Sequence, residues 1–300
     1  MKQVYKILVT GGAGFIGSNL VSKLEALGHY VKIVDMLPND DYCFDISCYS
    51  NFDIINEDFD IIYHVAAQSG GYRSLIEHEL DLDWNAKGTL NVCMFAKANN
   101  IKKIVYTSTM AVYGEGDWLK ETDELNPLSN YGISKLYGET CVKQFSQFGI
   151  DYTIFRVFNT YGPGQNLLNG NQGVVAVFVA QAIKGNKIDV TGPLTRYRDL
   201  TYIDDTVNAL VLALEDKTRN QIYNICSKIK TTISEIIDEV IVASNRNSKL
   251  FTITNIGKHD GDQFGNTGDN SKLKEIGWSS TISIDTGIKE FYNYAKGKLL

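Results

Sequence analysis

Tyr131 and Lys135 stand four residues apart, and the hydroxyl-bearing run Thr107-Ser108-Thr109 precedes them. On a helix that spacing puts phenol and ammonium on one face. An ammonium beside a phenol favours the phenolate and lowers its pKa toward the range a general base needs. A hydroxyl at the end of the preceding strand can share the proton or orient a substrate oxygen. With 17 tyrosines in the chain, the pair alone also fits an ordinary helix surface. Its meaning depends on what comes before it.

What comes before it is Gly12-x-Gly14-x-x-Gly17. Lys6-Ile7-Leu8-Val9 reads as a buried strand, and Phe15, Ile16, Leu20, Leu24 and Leu27 recur at helical spacing as far as Gly28. The glycines therefore fall where strand becomes helix. There Gly12 would permit the tight turn, Gly14 the approach of a pyrophosphate, and Gly17 close helix–strand packing. The open N–H groups of the helix start would face the phosphates. A second strand, Tyr30–Asp35, ends in an acid about 20 residues past the glycines, where a carboxylate accepts bonds from the adenosine ribose. That carboxylate repels a 2′-phosphate, and neither Met36 nor Leu37 supplies a cation. The cofactor expected is NAD.

The elements that must hold these groups alternate. A short third strand is expected at Tyr42–Ile46, a fourth at Asp60–Val65, a fifth at Lys103–Thr109 and a sixth at Tyr152–Val157, with helices at Gly88–Ala98 and Tyr131–Phe148. This is the pattern of an α/β doubly wound parallel sheet. After Asn159 the rhythm changes to a glycine-rich loop, then helices at Val174–Lys184, Asp204–Leu214 and Ser234–Ala243, strands at Lys187–Val190 and Gln221–Cys226, and a last helix at Ser283–Ala295. Residues 1–159 are read as the dinucleotide-binding domain and 160–300 as mainly a smaller C-terminal substrate-binding lobe, with elements from 199–226 returning to the first. Asp117–Glu124 reads as a solvated loop, His29 and His78 as surface turns or helix ends, and His64 as a satisfied core histidine.

Over almost all of its length the chain resembles the extended short-chain dehydrogenase/reductase family, in its nucleotide-sugar epimerase and dehydratase branch. The residues that carry the resemblance are Thr10–Gly17, Asp35, His64-Val65-Ala66-Ala67-Gln68, Asn85 with Gly88-Thr89, Val112-Tyr113-Gly114, Tyr131 with Lys135, Phe158–Pro163 and Arg198-Asp199-Leu200. The resemblance implies a Rossmann fold, a tightly held NAD and a Thr109–Tyr131–Lys135 triad. It implies cofactor contacts from Gly11, Gly14, Phe15, Ile16, Gly17, Asp35, Asp45, Ile46, Ala66, Ala67, Gln68, Asn85, Thr107, Tyr131, Lys135 and Phe158. Substrate contacts are expected from Thr109, Tyr131, Asn159, Arg198 and Arg73, and a homodimer from the helices near 88–98 and 131–148.

Branch members differ after the strand-end hydroxyl. Dehydratases resemble one another in an Asp-Glu pair there, and decarboxylases keep the glutamate. Here Met110 and Ala111 can move no proton. Relatives that catalyse 3,5-epimerisation with reduction use NADP and a cysteine/histidine pair, against which Asp35 argues. What remains is epimerisation through a keto sugar, at C4 as the resemblance most often implies, with C2 an alternative on the same triad. Tyr131 would take the hydroxyl proton, Thr109 would bond the reacting oxygen, and Lys135 would hold the nicotinamide ribose. A net dehydrogenase on the same triad, or an NAD-binding regulator, is the competing reading. Asn159 and Arg198 match family positions on the substrate phosphates, with Arg196 as a weaker second cation. Two stretches depart from the pattern. His259-Asp260-Gly261-Asp262 has a histidine where the family has an arginine, a poorer phosphate ligand at pH 7, and Gly70-Gly71 would reshape the sugar pocket.

The 300 residues carry a net charge of -6, which leaves no basic footprint for nucleic acid or an anionic membrane. A hydrophobic content of 44% and a charged content of 21% are those of an ordinary globular protein. The start Met1-Lys2-Gln3 leads straight into a strand, and no apolar run reaches membrane-spanning length, so a cytoplasmic protein is expected. The five cysteines, Cys43, Cys48, Cys93, Cys141 and Cys226, are odd in number and irregularly spaced, which suits reduced thiols and no metal site.

Overall fold

Strands that are apolar at every position belong in a parallel sheet covered on both faces. The computed structural model, which describes residues 3–38, 41–168, 173–257 and 263–300, places them so. Its strands are β1 Lys6–Thr10, β2 Tyr30–Asp35, β3 Tyr42–Cys43, β4 Ile61–His64, β5 Lys103–Thr109, β6 Gly116–Leu119, β7 Asp151–Val157, β8 Asn159–Tyr161, β9 Lys187–Val190, β10 Tyr197–Tyr202, β11 Gln221–Ile225, β12 Lys230–Thr232, β13 Thr252–Asn255 and β14 Asn266–Gly268. Its helices are α1 Phe15–Ala26, α2 Gly71–Ser74, α3 His78–Asp81, α4 Gly88–Ala98, α5 Asn130–Phe145, α6 Val174–Lys184, α7 Ile203–Val211, α8 Ile233–Ala243, α9 Ser271–Glu275 and α10 Ile284–Leu299. Seven strands form one parallel sheet in the order β11-β7-β5-β4-β1-β2-β3. Strand order reverses beside β1, where open α/β sheets bind their ligands.

Period-two alternation splits the sheet's side chains between two cores. Ile7, Val9, Ile61, Tyr63 and Phe155 face one way, toward Leu20 and Leu24 of α1, Val207 and Leu210 of α7, and the packed helices α6, α8 and α10. Leu8, Ile62, Ile104, Tyr106 and Ile154 face the other, toward Val92 and Phe95 of α4 and Cys141 and Val142 of α5. The first core runs without interruption from the sheet into the C-terminal helices. Small sheets carry the rest: β8-β10-β12, β9 with β13, and β6 with β14.

Several elements differ from the expected ones. β3 has two residues rather than five, because Asp45 turns the chain by accepting the Ser47 N–H at 2.8 Å. The helix expected to reach Phe148 ends its α-helical part at Phe145, and a 3-10 turn closes it at Gly149, which is left-handed at φ 79°. The last helix runs on to Leu299. Asp117–Glu124 is not simply a solvated loop: β6 (Gly116–Leu119) overlaps its start, and Asp117 accepts bonds from Tyr197 Oη at 2.7 Å and Lys230 Nζ at 3.0 Å. β10 was not anticipated. His29 is buried, its Nδ1 accepting the Tyr5 N–H at 3.2 Å. His64 is a core residue between Thr10 (2.7 Å) and Thr89 (2.9 Å), and burial pulls its pKa down to about 3.

The second helix-bearing layer is locked to the sheet by a buried ion pair. Arg156 on β7 donates through Nε and NH2 to the two oxygens of Glu139 on α5, at 2.8 Å each. Ser108 of β5 donates to the same carboxylate at 2.7 Å, and Arg156 also donates to Tyr113 Oη at 2.9 Å. Burial alone would raise the Glu139 pKa, but the bonds and charge of Arg156, with Ser108, hold it below the ordinary range. Glu139→Gln should therefore destabilise the fold by about 3–5 kcal/mol in urea unfolding at neutral pH, by stranding the guanidinium. The native carboxylate's contribution is lost as pH falls through its depressed pKa, so the difference between wild type and variant should shrink in acid. An equal deficit at all pH values would refute this account.

Candidate active site

A cavity of about 1140 Å³ crosses the carboxyl ends of β1, β2, β4, β5 and β7 and reaches the C-terminal half of the chain. At its β1 end the glycines divide their tasks differently from the expectation. Gly11, not Gly12, makes the left-handed turn, at φ 74°, and a Cβ there would lie 2.5 Å from Ala66 N. Gly12 instead admits the Ile33 side chain, since its Cβ would meet Cγ2 at 2.7 Å. Gly17 lets α1 close on the loop, a Cβ falling 2.0 Å from Gly11 O. The loop is thus drawn tight against both neighbouring strands, with Gly11, Gly14, Phe15, Ile16 and Gly17 lining the cavity. Asp35 closes it from β2, accepting the Ala13 N–H and the Leu37 N–H at 3.0 Å each. Asp45 and Ile46 line the same end, with Asp45 accepting Trp84 Nε1–H at 3.2 Å. A backbone cradle at a helix start beside a ribose-height carboxylate fits a dinucleotide.

At the cavity's middle, Ala66, Ala67, Thr107, Thr109, Tyr131, Lys135 and Phe158 form its wall. Gln68 and Asn85 do not line it. They are buried behind the wall, where Asn85 Nδ2 donates to Gln68 O at 3.1 Å. Thr109 ends β5 and caps the next turn through the Ala111 N–H at 3.2 Å. Ser129 caps α5 through the Gly132 N–H at 3.2 Å, which sets the helix start beside the strand end. The Lys135 ammonium lies 4.3 Å from the centre of the Tyr106 ring.

The electrostatics reverse the expected depression of the tyrosine. Burial pushes the Tyr131 phenol up to about 12, the Thr109 hydroxyl pulling it back and the Asp81 carboxylate adding to the rise. Burial pulls Lys135 down to about 7, against the carboxylates of Glu139 and Asp81, which favour its charge. Desolvation at the cavity floor dominates both shifts.

Toward the C-terminal half the cavity is lined by Asn159, Arg198, Arg196 and Arg73. Asn159 Nδ2 donates to Asp199 O at 3.2 Å, and Arg198 NH1 to Tyr197 O at 2.7 Å. Asp199 is committed elsewhere, to Ser227 Oγ at 2.7 Å and to the N–H groups of Ser227 (2.7 Å), Lys228 (3.2 Å) and Gly268 (3.1 Å). Arg196 donates to Thr191 O and, at 3.2 Å, to Thr191 Oγ1. Arg73 pairs with Glu77 at 2.7 Å on the cavity's rim. Gly70, at φ 110°, and Gly71 line the cavity beside it, and a Cβ on either would meet nothing closer than 3.7 Å. His259 lies outside the described residues.

Two residues escaped the sequence reading. Asp81 and Ser134 form a buried pair directly behind Tyr131 and Lys135, Ser134 Oγ donating to Asp81 Oδ2 at 2.6 Å. Asp81 stands four residues before Asn85 and Ser134 three after Tyr131, so helical spacing alone could have placed both beside the triad.

Residues 7–226 match the NAD dependent epimerase/dehydratase family. A Methanocaldococcus jannaschii protein provisionally named UDP-glucose 4-epimerase is 33% identical over 315 residues, covering 97% of this chain and 98% of that one. A Bacillus cytotoxicus UDP-N-acetyl-alpha-D-glucosaminuronate decarboxylase is 30% identical over 311 residues, covering 95% and 96%. Among solved structures, the UDP-glucose 4-epimerase of Thermotoga maritima with UDP-glucose superposes with a TM-score of 0.91 at 30% identity, covering 98% of this chain and all of that one. The chain belongs to the NAD dependent epimerase/dehydratase family, with NAD as its cofactor.

Proposed function

We propose that this protein epimerises the sugar of a nucleotide sugar at C4, through a transient 4-keto sugar, with Tyr131 as the base. The observation that carries the reading is the sequence of side chains leaving β5: Thr109 is followed into the cavity by Met110 and Ala111. Elimination or decarboxylation calls for a further acid or base at that place, and a thioether and a methyl group can move no proton. Decarboxylation, the activity in the name of the Bacillus cytotoxicus relative, would be favoured by a glutamate at position 111.

NAD, when bound, supplies the hydride acceptor and donor and a positive ring that favours a nearby phenolate. The protein's own groups do the rest. Tyr131 takes the proton of the sugar hydroxyl and returns it to the same oxygen after the keto sugar has turned over. Thr109 Oγ1 bonds that oxygen, and Lys135 holds the nicotinamide ribose. Asn159 and Arg198 bind the diphosphate, and the lobe of residues 160–300 closes over it. Exposed Met94, Ile133, Tyr137 and Phe148 on and beside α4 and α5 support a homodimer through those helices. No helix among the described residues is long and apolar enough to cross a membrane, in keeping with a cytoplasmic location.

Incubation with UDP-, GDP-, CDP- and dTDP-sugars without added cofactor, followed by proton NMR, should reveal a new sugar epimer with no net NADH. Turnover only on added NAD, with NADH accumulating, would make the protein a dehydrogenase instead. In the same assay Tyr131→Phe should lower kcat by about 100- to 10,000-fold while sugar-nucleotide binding, measured by calorimetry, persists. A variant as active as wild type would remove Tyr131 from the chemistry. Asp35→Ala should narrow the preference for NAD over NADP in binding titrations. An unchanged ratio would show that the carboxylate does not choose the cofactor.

A further inference from the structure

We propose that Asp81 is a positioning residue for the Tyr131–Lys135 pair, its buried carboxylate fastened to their helix through Ser134, favouring the charge of the lysine and setting where both groups titrate. The proposal rests on the reading of Tyr131 as the base. Asp81 ends α3 and has no exposed surface. Its Oδ2 accepts Ser134 Oγ–H at 2.6 Å, and its Oδ1 accepts Asn85 Nδ2–H at 3.0 Å. Asn85 sits in a π-helical turn, Leu82–Lys87, that follows α3 directly. Such turns are rare and concentrate at functional sites. Ser134 is the residue before Lys135, so the carboxylate is fastened to the catalytic helix between its tyrosine and its lysine.

The charged and titratable neighbours leave this role to Asp81. Lys135 faces Glu139 from its own helix, which also carries Tyr131 four residues earlier, the Tyr106 ring from β5, His64 from β4 and Asp81 from α3. Tyr106 and His64 are buried and neutral, and His64 carries too low a pKa to charge near neutral pH. Glu139 is taken up by Arg156 and Ser108, with Lys143 at 3.6 Å. Among the described residues Asp81 has neutral hydrogen-bond donors, Ser134 and Asn85, and Lys135 is the cation that offsets its charge. Burial raises its own pKa, with Ser134 and Lys135 opposing the rise. The sign of its effect is the same on both partners. A negative charge disfavours the Tyr131 phenolate and favours the Lys135 ammonium, so it moves both titrations upward.

Asp81→Asn keeps the shape and removes the charge. In the NAD-loaded protein it should move both limbs of the kcat–pH profile to lower pH by about one unit. The Tyr131 phenolate titration should move with them, read as the ultraviolet difference between Asp81→Asn and the double variant with Tyr131→Phe. A lower kcat with limbs and phenol titration in place would overturn the proposal and leave Asp81 a packing residue. The phenol titration needs no substrate, so it still decides the question if wild type shows no epimerisation and the functional reading falls. Should the variant not fold, carbon-13 NMR of the Asp81 carboxyl in wild-type holoprotein replaces it. A carboxylate ionised across the range where Tyr131 titrates supports the role, and a neutral acid there overturns it.

Discussion

A lysine ammonium withdrawn from water is the constraint on which the active half of this molecule depends. Lys135 cannot keep its charge at the floor of the cavity unless carboxylates stand close by. One of them, Glu139, lies a single turn further along α5 and would itself be stranded without Arg156 of β7 and Ser108 of β5. The other, Asp81, arrives from α3 through Ser134. The charge requirement of one side chain therefore fixes α5 against two strands and a short helix at once. Placement of the tyrosine follows from that anchoring, together with the Thr109 hydroxyl beside its phenol.

The remainder of the cavity is assembled by a different means, the convergence of strand ends. β1, β2, β4, β5 and β7 all deliver backbone to one edge, and glycine or small side chains keep that edge open. Tightness comes from backbone approach, as where Gly11 lies against Ala66, and chemistry comes from the few side chains allowed to project. Strand geometry supplies the cradle, while buried polar pairs behind the wall supply the charges.

Sequence alone made the local part of this legible. β1, α1, β2 and the acid that ends β2 follow from apolar periodicity and spacing, and so do β5, α4 and the Tyr131–Lys135 pairing. What escaped it is non-local. The turn fell to Gly11 because Ala66 packs against it from β4, and Gly12 faces Ile33 of β2. β6 looked like a solvated run because its partner β14 lies about 150 residues away, and the bonds that draw Asp117 inward come from 80, 113 and 150 residues away. The tyrosine's pKa was misjudged because spacing reveals the helpful neighbour but not the depth at which both groups sit. Asp81 drew no notice in the sequence, because only the fold places Ser134 against it.

The order of the large sheet has a consequence for how the chain can be made and cut. β11, drawn from residues 221–225, covers the outer edge of β7 and pairs with it over five residues. Any fragment that stops between β7 and β11 ends its sheet on a strand with unpaired N–H and C=O groups, flanked by apolar side chains on both faces. Such an edge is a template for another copy of itself. During synthesis the chain carries that hazard until β11 has emerged, and the same strand that completes the sheet withdraws it from aggregation. The large sheet is in this sense sealed by residues encoded well beyond its other strands, which ties its completion to the C-terminal part of the chain.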